Sequence, residues 1–526
     1  MHSLNFGRFV KAMILLLAII ILPVPCLGYV LGDINSDDQV GLEEAIYSLQ
    51  VVSGFTIPVS GTIINVPVDV PTIQEAIDAA AEGDTINVAA GTYNEALTVA
   101  GKSLTITGAG IGVTIIDGGY ETGIEIDHSS GVLVENLTVQ NCEDGIHATN
   151  HSTVEINNTT VQSCSDRGIQ IDDHSIGYIA DSTIDGSGVN GIGVLLNSSA
   201  ILTGSVTTQN NLRDGIFLKH NSSMYIYAAT CISNNDGGAG FMVTNNSNIF
   251  LASDTSVAIS GSGNEAISIG RSSVMQTTGG TIDITDSGGQ GISINNAAVL
   301  DSRSAITVTG GLNEWALGVG AGSQCILREG SFETVNCAGG IEVGGESRFS
   351  NRDTVSITIT QNLGGVAINI YDNSTFWARG GTFDIQNANG NGIVVSDESH
   401  LVMVSRGIGL NTTLQNNLYS AISVQNSTAR LHEVIINNNS DHGIALYGHS
   451  YCQINDASIT SNTGYGIWAD NGSNLDVSDS TITGNNGTNH DVFLGFGSQS
   501  TITGGTIDGG LDCDSSALSR GDTVCP

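Results

Sequence analysis

Residues 145–162 read GIHATNHSTVEINNTTVQ, and this stretch decides the fold. Three short runs lie in or across it, GIHATN, STVEIN and TTVQS. In each, apolar residues alternate with polar ones, which is the period-two pattern of a half-buried strand. The phrase Gly-Ile-x-Val-x-x-x-Ser, strictly or loosely, starts again at Gly168, Gly191, Gly215, Gly392, Gly443 and Gly466. Its Ser gives a frame at 130, 152, 175, 198, 222, 247, 272, then Ala297, then 323, 347, 374, 399, 427, 450, 473 and 498, which makes 16 rungs spaced by 22 to 28 residues. Three strands per rung are too few for a propeller blade, and the leucine consensus of leucine-rich repeats is absent. The pattern fits one coil of a parallel β-helix, in which stacked rungs bury a continuous apolar column. At roughly 4.8 Å per rung the array would extend on the order of 75 Å. Asn recurs at one bend, at Asn141, Asn210, Asn234, Asn336, Asn362, Asn387, Asn416 and Asn462. Stacked amides there can hydrogen-bond along the axis.

Composition agrees. The 526 residues include 68 Gly and 6 Pro, with 5% aromatic and 13% charged residues. Helical arrays and coiled coils are excluded by the scarcity of helix formers, and collagen by the lack of a glycine period of three. With 40% hydrophobic residues the chain is not a disordered one. Fifteen Lys+Arg face 52 Asp+Glu, a net charge of −37. So anionic a chain disfavours nucleic acid and anionic membrane surfaces as partners. The glycines read as punctuation of the bends between strands.

Residues 1–28 read as an export signal: Arg8 and Lys11 are the basic region, Ala12 to Leu22 the apolar run, and Cys26 and Gly28 the small residues before a cut. The run is shorter than the roughly 20 residues that span a bilayer, and no later segment reaches that length. The expected destination is secretion, the cell surface or the periplasm. Cys513 and Cys525 are expected to form a disulfide in such a compartment. Cys142 and Cys164 sit at nearly the same place in successive rungs and can bridge or merely stack. Cys231, Cys325, Cys337 and Cys452 read as small core hydrophobes.

Behind the signal, residues 31–54 read LGDINSDDQVGLEEAIYSLQVVSG. Counted from Asp33, oxygen-bearing residues fall at positions 1, 3, 5, 7 and 12 of a twelve-residue loop: Asp33, Asn35, Asp37, Gln39 and Glu44. That is the ligand spacing of a calcium loop, closed by a bidentate Glu. Ala45, Ile46, Leu49 and Val52 then share one side of a short helix. The segment resembles an EF-hand loop and, in its export context, one half of a dockerin, which implies Ca2+ and a cohesin-like partner. It departs from those patterns in two ways: Asp38 stands where Gly makes the sharp turn, and there is one copy rather than two.

Residues 66–95 open the array. Thr72 and Glu75 form a capping box, and Ile73, Ala76, Ile77 and Ala80 an apolar stripe, so a short amphipathic helix is expected to cap the core. This helix, then GDTINVAAGTYNE, KSLTITGAG and TIIDGG, resembles the opening of right-handed parallel β-helix proteins of the pectin-lyase-like class. The resemblance spans about residues 66–510. It implies a fold shared by lyases, hydrolases, esterases, epimerases and non-catalytic adhesins. None of the phrases that carry methylesterase, polygalacturonase, pectate lyase or epimerase chemistry in that class is matched, so enzymatic activity stays open and no catalytic residue is named. His128, His151 and His174 recur near one bend, as a bend-lining stack or as groups that hold a metal or proton.

The residue three after the frame should point outward and be polar. Instead the column reads Tyr178, Ile201, Tyr225, Phe250, Met275, Leu300, Ile326, Ser350, Trp377, Val402. Arg303, Arg328, Arg352, Arg379 and Arg406 follow in five successive rungs, with Asp301, Glu329 and Asp353 as available counter-charges. Two readings stand: Tyr178, Tyr225, Phe250 and Trp377 stack on sugar rings while the arginines hold polar or anionic groups, or the stripe is covered by a loop or a second copy. The expected organisation is therefore a signal at 1–28, a calcium segment at 29–57, the first β-helix coils at 58–120, repeats at 121–510 and a disulfide-closed tail at 511–526. The expected protein is all-β, an exported calcium-binding rod that binds or processes a polysaccharide, or else an adhesin or structural rod that self-associates through its stripe.

Overall fold

The computed structural model describes residues 61–526 except 228–229, 235–236, 311–313, 353, 361, 405–410, 486–489 and 526. The signal at 1–28, the calcium segment at 29–57 and Arg406 lie outside the described residues, as does Asp353. The described chain is a solenoid of parallel strands. Ladder A holds the Gly-Ile-x-Val strands and runs through 18 strands, from Leu97–Ala100 to Leu511–Cys513. Ladder B holds the strands after the frame serine, from Ile63–Val66 to Leu518–Gly521. Ladder C follows it, from Gly91–Tyr93 to Thr506–Ile507. Ladders B and C merge into one 36-stranded sheet, because Ile176–Asp185 and Ser199–Gln209 run through the bend between them.

About 18 rungs result rather than 16. The 18 strands of ladder A set that count, and ladder B is longer still, because Ile63–Val66, Thr85–Val88 and Thr105–Gly108 precede the serine frame and Leu518–Gly521 follows it. Those outer strands pair in register with the rest without a frame serine.

Most Ile, Val and Leu of all three ladders face inward and form one continuous buried core. Phe349 stacks on Phe376 at 4.4 Å between ring centroids, and Phe376 meets the edge of Phe383 at 5.9 Å. The frame serines are buried too, and they stack. The backbone N–H of Ser152 donates to Ser175 Oγ, that of Ser175 to Ser198 Oγ, and that of Ser374 to Ser399 Oγ. A small hydroxyl thus satisfies a buried donor at most of these bends, where a larger side chain would not fit.

Three frame positions move. Ser129, not Ser130, is buried and donates its N–H to Ser152 Oγ. Ser273, not Ser272, is buried and accepts from the N–H of Ser247. Ala298, not Ala297, donates its N–H to Ser323 Oγ. Ser272 and Ala297 instead take the left-handed corner at φ 62° and φ 60°.

The asparagines divide into two columns that a single spacing conflates. Asn141, Asn210, Asn336, Asn387 and Asn416 occupy left-handed corners. Beside them runs a buried ladder of Asn417, Asn439, Asn462 and Asn485, each side-chain amide donating to the next at 2.8 Å. The glycine before the ladder A strand is likewise not flexible punctuation. At Gly145 a Cβ would lie 2.2 Å from Val161 and 2.4 Å from the Gly168 carbonyl, so the chain passes too close to the core for any side chain.

The helix α1, Ile73–Ala79, buries Ile73, Ala76 and Ile77. Its start is held by Thr72 Oγ1, which accepts from the N–H of Glu75, and by the Glu95 carboxylate, which accepts from the N–H groups of Ile73 and Gln74. Lys102 Nζ donates to the Ile77 and Asp78 carbonyls at its end, the charge placement that the helix dipole favours. Cys513 and Cys525 are disulfide-bonded across a Cα–Cα distance of 5.8 Å. Cys142 and Cys164 are free and buried, and the thiol of Cys142 is pushed up by its hydrogen bond with Cys164 and by burial. Cys325, Cys337 and Cys452 are free and buried as well.

Candidate functional site

Outward positions of ladder B form a column whose register the strand pairing fixes. It runs Tyr178, Ile201, Tyr225, Phe250, Gln276, Asp301, Ile326, Ser350, Trp377, Val402, Arg430. Met275 and Leu300 do not belong to it. Both are buried, at 0% and 1% exposure, because moving the frame by one residue turns a strand's side chains over. The stripe therefore breaks into two patches.

The first patch is aromatic. Tyr178 is 44% exposed, Tyr225 39% and Tyr227 43%, with Phe250 half-buried beside them. Tyr227 follows Tyr225 by two residues and so lies on the same face. The two phenol rings are nearly parallel at 6.3 Å, and Phe250 leans against both at 6.2 and 6.1 Å. These rings hold one another in place while leaving edges and faces to solvent.

The second patch is cationic. Arg303, Arg328, Arg352 and Arg379 each directly follow a ladder B strand, after Val299–Ser302, Gln324–Leu327, Arg348–Asn351 and Thr375–Ala378. The next residue in that column is Val404, after His400–Met403. Arg328 pairs in two contacts with Asp301, at 2.5 and 2.7 Å, and Arg303 approaches Glu329 at 3.8 Å. Those two arginines are thus partly neutralised. Arg379 lies over the Trp377 ring at 3.8 Å and Arg348 at 5.8 Å, while Arg348, Arg352 and Arg430 are exposed. Sequence reading passed over Tyr227 and Arg348 because it sampled one position per strand, and over Arg430 because it followed the column only as far as Val402. A second sampled position, two residues away on the same face, would have found Tyr227.

Ladder A carries an acid–base group of its own. Glu125, His147 and Gln170 stand in register on consecutive rungs. His147 Nε2 lies 3.2 Å from Asp172 and Nδ1 3.6 Å from Glu125. Burial draws the His147 pKa down, but the hydrogen bond and charge of Asp172, with the charge of Glu125, outweigh it and raise the pKa. Burial pushes the neighbouring Asp144 carboxyl up, against the hydrogen bond and charge of Arg167. Gln170 donates to Asp172 at 2.6 Å and leaves Oε1 buried without a hydrogen-bond partner. This arrangement can hold a proton on His147 and offers acceptors to a hydroxyl-bearing ligand. His151 and His174, by contrast, stack at 5.0 Å in the corner, which is the bend-lining arrangement. Among the described residues no group of three or more His, Cys, Asp or Glu could hold a metal ion.

The family model for the right-handed β-helix region matches residues 122–311 and 420–517, more than half of the chain. The chain belongs to the right-handed β-helix family. No curated protein matches its sequence. Among solved structures, this β-helix protein is similar to the A-module of the mannuronan C-5 epimerase AlgE6 of Azotobacter vinelandii, with 14% identity over 70% of this chain and 97% of that one and a TM-score of 0.31. It is similar to an alginate lyase of Paenibacillus sp., with 15% identity over 64% and 96% and a TM-score of 0.25. The catalytic unit of an α-1,3-glucanase of Streptomyces thermodiastaticus shows 10% identity over 75% and 61% and a TM-score of 0.23. At these scores neither a site nor a reaction passes from them to the β-helix described here, whose candidate residues rest on its own geometry.

Proposed function

We propose that this β-helix protein binds an extracellular or cell-surface polysaccharide along the outward face of ladder B. One observation carries the reading: Tyr178, Tyr225, Tyr227 and Phe250 expose rings within four successive rungs of a face that solvent alone would leave polar. Aromatic rings offer flat apolar faces to the C–H faces of sugars, and Tyr adds a hydroxyl for theirs. Trp377, flanked by Arg348 and Arg379, offers the same on a cationic background. The break at Gln276 and Asp301 favours this reading over self-association, since it removes the continuous apolar face that a second copy would bury.

The test is a glycan array read for both retention and released reducing ends. Wild type is expected to retain a polysaccharide, and Tyr178→Ala with Tyr225→Ala and Tyr227→Ala to lose roughly 100-fold in affinity, at about 1 kcal/mol per ring. Equal retention by the triple variant would sink the reading. A shift from dimer to monomer in that variant, with no glycan retained by wild type, would replace it with self-association.

Export through residues 1–28 and calcium at Asp33, Asn35, Asp37, Gln39 and Glu44 belong to the same proposal and rest on the sequence pattern. Calorimetry on the full chain should show the Asp33→Ala, Glu44→Gln double variant taking up one calcium ion fewer than wild type. Unchanged uptake would move calcium elsewhere.

A further inference from the structure

A cavity of about 470 Å³ opens beside ladder A, lined among others by Glu314, Trp315, Gly339, Gly364, Val366 and Asn369. It is separate from the ladder B column. Its wall is an indole laid against a glycine: Trp315 and Gly339 are partners in register, and a Cβ on Gly339 would come 2.2 Å from Trp315 Cε3. Only the missing side chain lets the half-buried ring settle there. Gly364 is set in the same way, since a Cβ on it would meet the Ala338 carbonyl at 2.7 Å. Asn362 braces the far side by donating to the Val366 carbonyl at 2.7 Å. The cavity is therefore built by close backbone approach, and its size falls within the roughly 300–1,000 Å³ of small-molecule sites.

Its chemistry is mixed in a particular way. Trp315 supplies a large apolar surface, Asn369 both a donor and an acceptor, and Glu314 an acceptor. No cation is among the lining residues. Glu342, the register neighbour of Asn369, adds a second carboxyl close by, and its pKa is raised by burial and by the charge of Glu314. A ligand that fits needs one apolar face, a rim of hydroxyls and no negative charge. We propose that this cavity is a binding subsite for a neutral hexopyranose unit, which packs on Trp315 and hydrogen-bonds Asn369 and Glu314. The proposal deepens the polysaccharide reading and rests on it.

The experiment is calorimetric titration of the full-length protein with neutral gluco-, manno- and galacto-configured hexasaccharides and with uronic hexasaccharides. At least one neutral hexasaccharide is expected to bind, and the uronic ones not to displace it. Gly339→Ala, which drives a methyl into the indole, and Asn369→Ala are each expected to weaken it at least tenfold. Gly339 has an ordinary negative φ, so the substitution strains no backbone, and thermal unfolding of both variants checks that they stay folded. Unchanged affinity in both folded variants overturns the subsite, as does binding of the uronic sugars alone. The Tyr178, Tyr225, Tyr227 triple variant separates the two ideas. If it alone abolishes hexasaccharide binding, the subsite fails and the ladder B reading stands. If wild type binds neither hexasaccharide nor polymer, both fail.

Discussion

Phe376→Ala is expected to destabilise the solenoid by about 3–5 kcal/mol, the range for emptying a buried aromatic position. Phe376 is fully buried, stacked on Phe349 one rung earlier and set against the edge of Phe383 on ladder C. Ala at this position leaves a cavity bounded by two rings that cannot both close on it, because each is fixed by its own strand pairing. Phe376 also lies directly beneath the exposed patch, since its neighbour Trp377 points outward from the same strand. Rungs of a solenoid contact mainly their neighbours, so the loss should concentrate around this rung. Hydrogen exchange is the discriminating measurement: amides of Arg348–Asn351, Thr375–Ala378 and Thr382–Gln386 should lose protection while those of Leu475 and Val477 keep it. Uniform loss along the chain would show that the core unfolds as one unit.

Asn439→Ala is expected to cost about 3 kcal/mol, again locally. Asn439 Oδ1 accepts from both the backbone N–H and the side-chain amide of Asn417, at 3.1 and 2.8 Å. Its own amide donates to Asn462 Oδ1 at 2.8 Å and to the carbonyls of Leu414 and Asn437. Truncation leaves buried donors on Asn417 without partners, at about 1–3 kcal/mol each, and no water can reach them without opening the bend. The matching control is Asn416→Ala, one residue away. Asn416 sits in a left-handed corner with φ 56°, so its cost is backbone strain on the order of 1 kcal/mol. Urea unfolding of the two variants should separate by about 2 kcal/mol. Equal costs would mean that the buried ladder adds nothing beyond the corner conformation.

The difference between Asn416 and Asn439 also marks what could be read in advance. Asn at a regular spacing signals a bend, but two adjacent columns share that spacing, one bonded inward and one twisted left-handed. The same ambiguity governs the binding face. At 272–273 two serines stand side by side, and at 297–298 two alanines do. Either member could be the frame by identity, and only hydrogen bonding to Ser247 and Ser323 on the neighbouring rungs selects Ser273 and Ala298. That selection turns Met275 and Leu300 inward and brings Gln276 and Asp301 to the surface, which divides one long stripe into an aromatic and a cationic patch.

Sequence by itself determined the class of architecture. Period-two alternation and a repeat of about two dozen residues leave no other way to bury so much Ile and Val. It also placed Tyr178, Tyr225, Phe250 and Trp377 outward, because their frame residues Ser175, Ser222, Ser247 and Ser374 are the buried serines of the stack. Only the tertiary structure decided the rest. The Trp315 cavity, the His147 group and the split of the stripe arise between residues 22 to 28 positions apart, where a single extra residue in a bend changes which side chains meet. Composition fixes the inside of such a solenoid, since every rung must be apolar there, but contacts along its outside depend on the register that each bend sets.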